Sequence, residues 1–184
     1  TIKCENGADI ATQEKLNKVF NEIISALPEF RTTIGRVQHK THSYDVATHS
    51  INVLKEIVSD EQFETLSDSD KKIMILASLL HDITKAEGEV DKTHEKESAF
   101  DSFFITEKFN LTQDEKSKLY DLIANHEWFA YVNKPSIEPK DRKHNIEDMA
   151  FALKTANTFE LAQIFTKADL KSVTSDKSFY NRFI

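Results

Sequence analysis

Residues 73–80 read Ile-Met-Ile-Leu-Ala-Ser-Leu-Leu and run straight into His81-Asp82-Ile83-Thr84. A stretch that is apolar around most of a helix's circumference has no face to offer water, so it predicts a central buried helix over about residues 70–85. That helix ends in a histidine and an aspartate side by side. Burial penalises both groups unless they find partners. Neighbouring residues on a helix diverge around its axis, so His81 and Asp82 can serve one centre only if the helix end opens onto a pocket.

The rest of the chain reads as scaffold for that helix. Only 3 Gly and 3 Pro occur in 184 residues, which favours long helices over many-stranded sheets. Helical spacing of apolar residues predicts further helices over about 12–27, 46–58, 94–109, 112–126 and 146–171. Their expected core positions include Leu16, Val19, Phe20, Val53, Ile57, Phe100, Phe103, Phe104, Leu119, Ile123, Ile146 and Phe165. Asp45 is placed to N-cap the helix at 46, and Thr112 with Glu115 forms a capping box for the helix after it. The polar stretch 59–70 reads as a loop in which Asp68 or Asp70 caps the central helix. Loops are also expected over 28–45, 87–93 and 131–145. The expected architecture is a single all-α domain spanning residues 1–184, a bundle of about six or more helices. Residues 1–11 and 172–184 are expected as terminal extensions, the latter packing through Phe179, Tyr180 and Phe183 back on the domain or on a neighbour.

This length buries a core without a structural metal, so any metal is expected to bind substrate or drive chemistry. The net charge of −7 argues against extended binding along a nucleic-acid duplex. No apolar run approaches the ~20 residues of a membrane helix, and no signal peptide is evident. The single Cys4 cannot form an internal disulfide, which points to a reducing, cytoplasmic setting. The chain begins with Thr1, consistent either with Met removal or with a piece of a longer protein.

Four more ligand-type side chains lie far apart in the chain: His49, His94, His126 and Asp169. Taken singly, each has an ordinary explanation. His49 is equally a hydrogen-bonded core histidine, His94 a helix-start cap, His126 a cation at a helix C-terminus, and Asp169 a turn cap. As a set, each falls at or near the end of a predicted helix. His49, His81, Asp82 and Asp169 are expected to hold one ion, as helix bundles do with inward side chains. Imidazole with carboxylate suits Mn, Fe, Ni, Co or Zn, and Mg less well. His94 and His126 are candidates for a second ion or for contacts with substrate.

The pattern His49…His81-Asp82…Asp169 resembles the signature of the HD superfamily of metal-dependent phosphohydrolases. "LASLLHDITK" is similar to the family's central helix, and "THEKESA" and "LIANHEW" to its later histidine segments. The likeness runs from residue 27 to residue 171. Within the superfamily, "LPEFRTTIGRVQHKTHSYDVATHSINVL" resembles the opening segment of the HD domain in bacterial tRNA nucleotidyltransferases and poly(A) polymerases. There a Gln and a His precede Asp-Val and the first ligand, as Gln38, His42, Asp45-Val46 and His49 do here.

The resemblance implies an all-helical fold and a phosphatase or phosphodiesterase acting on nucleotides or on RNA or DNA ends, 2′,3′-cyclic phosphates included. It implies one or two divalent ions (Mn, Fe, Ni, Co, Zn or Mg) on His49, His81, Asp82 and Asp169, with His94 and His126 for the second. Asp82 and Lys85 become the catalytic expectation, and Lys85, His42, His94 and His126 the substrate contacts, with Asp45 near the mouth. Lys85 falls one turn beyond His81; a solvated helix-end lysine explains it as well. No nucleotidyltransferase head precedes the segment, so CCA addition or polyadenylation is not expected of these residues. Two competing readings are a single-strand nuclease using Lys134, Lys140, Arg142 and Lys143, and a non-catalytic nucleotide-binding module.

Overall fold

The computed structural model describes residues 10–176 apart from 89, 129–137 and 156. Among these residues every regular element is helical, as the patterning predicts. The α-helices are α1 (Ile10–Ala26), α2 (Val46–Val58), α3 (Glu61–Thr65), α4 (Asp68–Leu80), α5 (His94–Ile105), α6 (Gln113–Ala124), α7 (Pro139–Thr155) and α8 (Phe159–Ser172). Short 3-10 turns cover Pro28–Thr33 and Thr106–Phe109.

Helix α4 is the hub, packing on α2, α5, α6 and α8. Ile73, Met74, Ala77 and Leu80 are wholly enclosed, and Leu76 and Leu79 nearly so. Its contacts with four neighbours follow from an apolar surface that covers most of its circumference. Phe30, Val53, Ile57, Leu119, Ile123, Leu153 and Phe165 complete the core around it.

Several expected boundaries are corrected. The central helix stops at Leu80 rather than near residue 85, and residues 81–84 form tight turns. Tertiary bonds divert the backbone there. Arg36 takes the carbonyls of Ile83 and Lys85, and the Thr84 N–H donates to the Ser98 hydroxyl. Ser67 is the N-cap of α4, its hydroxyl accepting from the Asp70 N–H, so neither Asp68 nor Asp70 caps it. The stretch 59–70 contains α3, whose Phe63 is drawn into the core. The helix expected over 94–109 ends at Ile105 and continues as a 3-10 turn to the left-handed Asn110. The helix expected over 146–171 is two helices, α7 and α8. Asn157 turns left-handed between them at φ 56°, a conformation Asn tolerates, and the Thr158 N–H reaches back to the Leu153 carbonyl.

Four residues expected in the core, Val19, Phe100, Phe104 and Ile146, are largely exposed. The Leu16 side chain, and Pro135, Phe179, Tyr180 and Phe183, lie outside the described residues. Within the stretches expected as extensions, α1 starts at Ile10, and the Ser43 N–H donates to the Val173 carbonyl. No described helix is long and apolar enough to cross a membrane.

Asp45 and Thr112 cap as expected. Thr112 and Glu115 form the capping box, and the Glu115 carboxylate also accepts from Ser69 at 2.8 Å and pairs with Lys72 at 2.7 Å. The Lys72 contact, helped by the Thr112 N–H and the Ser69 hydroxyl, lowers this carboxyl to about 2. The folded group therefore ionises more readily than an unfolded Glu at ~4.3. Its stabilisation is complete above that value and fades as the pH falls from ~4.3 towards 2. Glu115→Gln should lower stability by about 1–2 kcal/mol at pH 7, and the difference from the parent should shrink between pH 5 and 2. Urea melts across that range test this; a gap independent of pH would contradict it.

Candidate metal centre

Five segments deliver the polar cluster. His49 sits one turn inside α2, which starts where it does because the Asp45 carboxylate accepts from the Thr48 N–H. His81 and Asp82 terminate α4. His94 opens α5, and its N–H is held by Asp91, whose carboxylate also accepts from Thr93 and Ala86. His126 lies in the turn after α6, and Asp169 in the last turn of α8. His49, His81, Asp82, His94 and His126 are all buried.

The Asp82 carboxylate lies between two pairs of imidazoles. Its Oδ2 faces His49 Nε2 at 3.7 Å and His81 Nε2 at 3.5 Å. Its Oδ1 faces His94 Nε2 at 3.1 Å and His126 Nε2 at 3.6 Å. Asp169 Oδ1 joins the first pair, 2.9 Å from His49 Nε2 and 3.7 Å from His81 Nε2. The two Nε2 atoms of that pair are 3.2 Å apart.

The other nitrogen of each ring settles its orientation. Nδ1 of His49 meets the Ser172 carbonyl at 3.1 Å, that of His81 the Ser78 carbonyl at 3.1 Å, that of His94 the Asp91 carbonyl at 3.3 Å, and that of His126 the Ile123 carbonyl at 2.7 Å. A carbonyl only accepts, so each Nδ1 carries a proton, and each ring in its neutral form aims an Nε2 lone pair inward. Acceptors then converge on acceptors. Asp82 Oδ1 and His94 Nε2 are fully buried and have no hydrogen-bond partner. Each such atom costs about 1–3 kcal/mol if left unpaired. A cation relieves both at once, which a further apolar residue could not.

The spacing fits a metal ion. Donor atoms about 2.1 Å from one ion are separated by about 3.0 Å in an octahedral shell and about 3.4 Å in a tetrahedral one. The group His49, His81 and Asp82 and the group Asp82, His94 and His126 each offer donor atoms within 4.8 Å of one another. The donor set of imidazole and carboxylate suits a first-row transition ion.

Charge in the cluster is strongly coupled. Burial would raise the Asp82 carboxyl, but the Lys85 ammonium at 2.7 Å and the surrounding imidazoles hold it well below the usual range. Asp169 is likewise held down against burial, chiefly by His49. Burial would depress Lys85, and the Asp82 charge more than offsets it. Burial depresses His81 to about 3 and His42 to about 4. His49 and His94 are raised against burial by Asp169 and Asp82 respectively. The Phe165 ring, 5.5 Å from that of His81 and 6.3 Å from that of His126, forms an apolar wall.

The structure thus brings His49, His81, Asp82, His94, His126 and Asp169 into one cluster. Lys85 is spent on Asp82. His42 stands at the edge, its ring 5.7 Å from that of His49. Asp45 serves the backbone, accepting from Gly35 and Thr48. Gln38 donates to the Tyr44 carbonyl, and its Oε1 is buried without a partner. Lys134 lies outside the described residues, as do the side chains of Lys140, Arg142 and Lys143.

Sequence reasoning missed Asp91, Glu127 and Arg36. Glu127 follows His126 directly, and its Oε1 lies 3.8 Å from His94 Nε2. Arg36 had no local signal, because its partners are 47 and 49 residues away. Its guanidinium donates to the Ile83 carbonyl at 2.8 Å and the Lys85 carbonyl at 3.2 Å. The Arg36 carbonyl in turn accepts from the Val46 N–H at the start of α2, and the Val37 carbonyl from the Gly88 N–H. Ser43 binds Val173 and Thr174 just past α8. The segment 35–45 is therefore a strap across the three elements that carry His49, His81-Asp82 and Asp169.

No family model, no curated protein and no solved structure matches this chain.

Arg36→Ala should free the turn after Asp82 and weaken divalent-ion binding about 10–100-fold. The melting temperature of the metal-free protein should fall only a few degrees, roughly 2–6 °C, and Arg36→Lys should recover part of the affinity. Titration of the chelator-treated proteins with Mn²⁺ measures this; unchanged affinity in Arg36→Ala would remove the strap from the account.

Proposed function

We propose that this protein is a metal-dependent phosphohydrolase of the HD type that cleaves a phosphate ester of a nucleotide or of a nucleic-acid end. The reading is carried by one observation: a buried carboxylate shared between two imidazole pairs, all four Nε2 atoms turned towards it. His49, His81, Asp82 and Asp169 would hold a divalent ion, with Asp82, His94 and His126 offering a second position. A bound ion of this kind lowers the pKa of a coordinated water and polarises a phosphoryl oxygen.

The chain's own groups account for the rest. Lys85 keeps Asp82 ionised, and its positive charge at the cluster's edge favours a dianionic phosphate over a neutral ligand. His42, depressed by burial to about 4, stands beside His49 at the edge of the cluster. Phe165 keeps water from the inner face of the imidazoles, so electrostatic terms are strong there. The acidic balance of the chain opposes a long polyanion. A mononucleotide, a 2′,3′-cyclic phosphate or a single strand end asks less of the surface, which favours these over processive cutting of a long strand.

The test pairs metal analysis with assays on bis(p-nitrophenyl) phosphate, mononucleotides and 2′,3′-cyclic nucleotides. The purified protein should carry or take up a transition ion and hydrolyse at least one of these. His81→Ala combined with Asp82→Ala should lose the ion and lower kcat/KM by on the order of 10³-fold or more. Because Asp82→Ala leaves the buried Lys85 ammonium without its carboxylate, circular dichroism first establishes that the double variant is folded. A parent without ion, together with unchanged activity in a folded double variant, sinks the proposal.

A further inference from the structure

Resting on that reading, we infer that Glu127 is an anionic ligand on the outer side of the cluster, and that it enables the His94–His126 pair to hold a divalent ion of its own. The argument is one of charge and direction. On the inner side, Asp82 Oδ2 and Asp169 Oδ1 face the His49–His81 pair, so two carboxylates are at hand for one dication. On the outer side, among the described residues, the oxygen that faces both His94 Nε2 and His126 Nε2 is Asp82 Oδ1, the second oxygen of a carboxylate already engaged. The Lys85 ammonium, 2.7 Å from the same Asp82, adds a repelling charge nearby. Two neutral imidazoles and a shared carboxylate are a poor host for a second dication beside a first.

Glu127 supplies the missing charge. Its Oε1 is 3.8 Å from His94 Nε2, and its side chain is 45% exposed, so the carboxylate stands between the buried ring and solvent. That distance is too long for a hydrogen bond and leaves the buried Nε2 unpartnered. It falls between the separations of about 3.0 Å and about 4.2 Å expected for adjacent and opposite donors around one ion. Two further carboxylates, Asp91 and Glu95, come near His94, and Glu95 groups with His94 and Glu127 within 4.8 Å, but both approach the other ring nitrogen. Glu95 lies 3.9 Å from Nδ1, the ring nitrogen already committed to the Asp91 carbonyl, and so on the wrong side of the imidazole. His94, with Nε2 buried, 3.1 Å from Asp82 Oδ1 without a well-formed hydrogen bond and 3.8 Å from Glu127, is the observation that turns an acidic neighbour into a ligand.

The experiment is Mn²⁺ titration of the chelator-treated full chain, followed by calorimetry and electron paramagnetic resonance, in the parent, Glu127→Gln and Glu95→Gln. The parent should take up roughly two ions per chain, with a spin-coupled spectrum from the adjacent pair. Glu127→Gln should retain one ion, show the spectrum of isolated Mn²⁺, and melt at the parent's temperature when metal-free. Glu95→Gln should match the parent. Two coupled ions in Glu127→Gln overturn the inference. A parent that saturates at one ion also overturns it, while leaving a mononuclear phosphohydrolase intact. A parent that takes up none overturns this inference and the proposed function together.

Discussion

The Asp82 carboxylate is buried among groups that, in their neutral forms, offer it nothing to accept. Four imidazoles turn Nε2 towards it, and the Lys85 ammonium at 2.7 Å is the closest cation to its charge among the described residues. Placing an anion there is tolerable only because the surrounding elements fix every ring by its far nitrogen. Each of those anchors is a backbone carbonyl: Ser172 at the end of α8, Ser78 in α4, Asp91 before α5 and Ile123 in α6. The helix ends are therefore both scaffold and outer shell of the site. A shift of any one of them would rotate a ring as well as move it.

That dependence explains why the helices stop where they do. Helix α4 has the composition to continue past Leu80, but the carbonyls of Ile83 and Lys85 are taken by Arg36, and the Thr84 N–H by Ser98. The turn this creates swings Asp82 off the helix axis, so that its two oxygens face opposite pairs of histidines. Segment 35–45 binds that turn to the start of α2 and to the residues after α8. The three elements that carry His49, His81-Asp82 and Asp169 are thus registered against one another by bonds from the Arg36 guanidinium and along the backbone, which avoid the clustered imidazole and carboxylate atoms themselves. Such a site keeps its geometry when its charges change, which a centre held only by its own ion pairs would not.

The bundle and its hub were legible before any coordinates, because apolar residues around a whole circumference have one stable place in a folded chain. The His/Asp cluster was legible as a pattern of residue types at helix ends. Less visible were features that depend on partners distant in sequence. Arg36 looks like any surface arginine. Asp91 sits in a charged loop that resembles a solvated linker. Asn157 breaks a periodic apolar run without Gly or Pro, so α7 and α8 read as one helix. Phe100 and Phe104 fit the helical period yet lie outside the core, since period alone identifies a face without saying what covers it.

The residues themselves determined that this chain would be helical, that the helix through residues 73–80 would lie at its centre, and that histidine and aspartate would meet where that helix ends. Their chemistry is local: apolar surface must be buried, and buried polar groups must be partnered. Only the tertiary structure decided that Asp82 would stand between two imidazole pairs, that Lys85 would be spent on Asp82, and that Glu127 would come within 3.8 Å of His94 Nε2. Those outcomes turn on which oxygen and which ring nitrogen point where. Such directions are set by bonds across the fold, and no spacing along the chain encodes them.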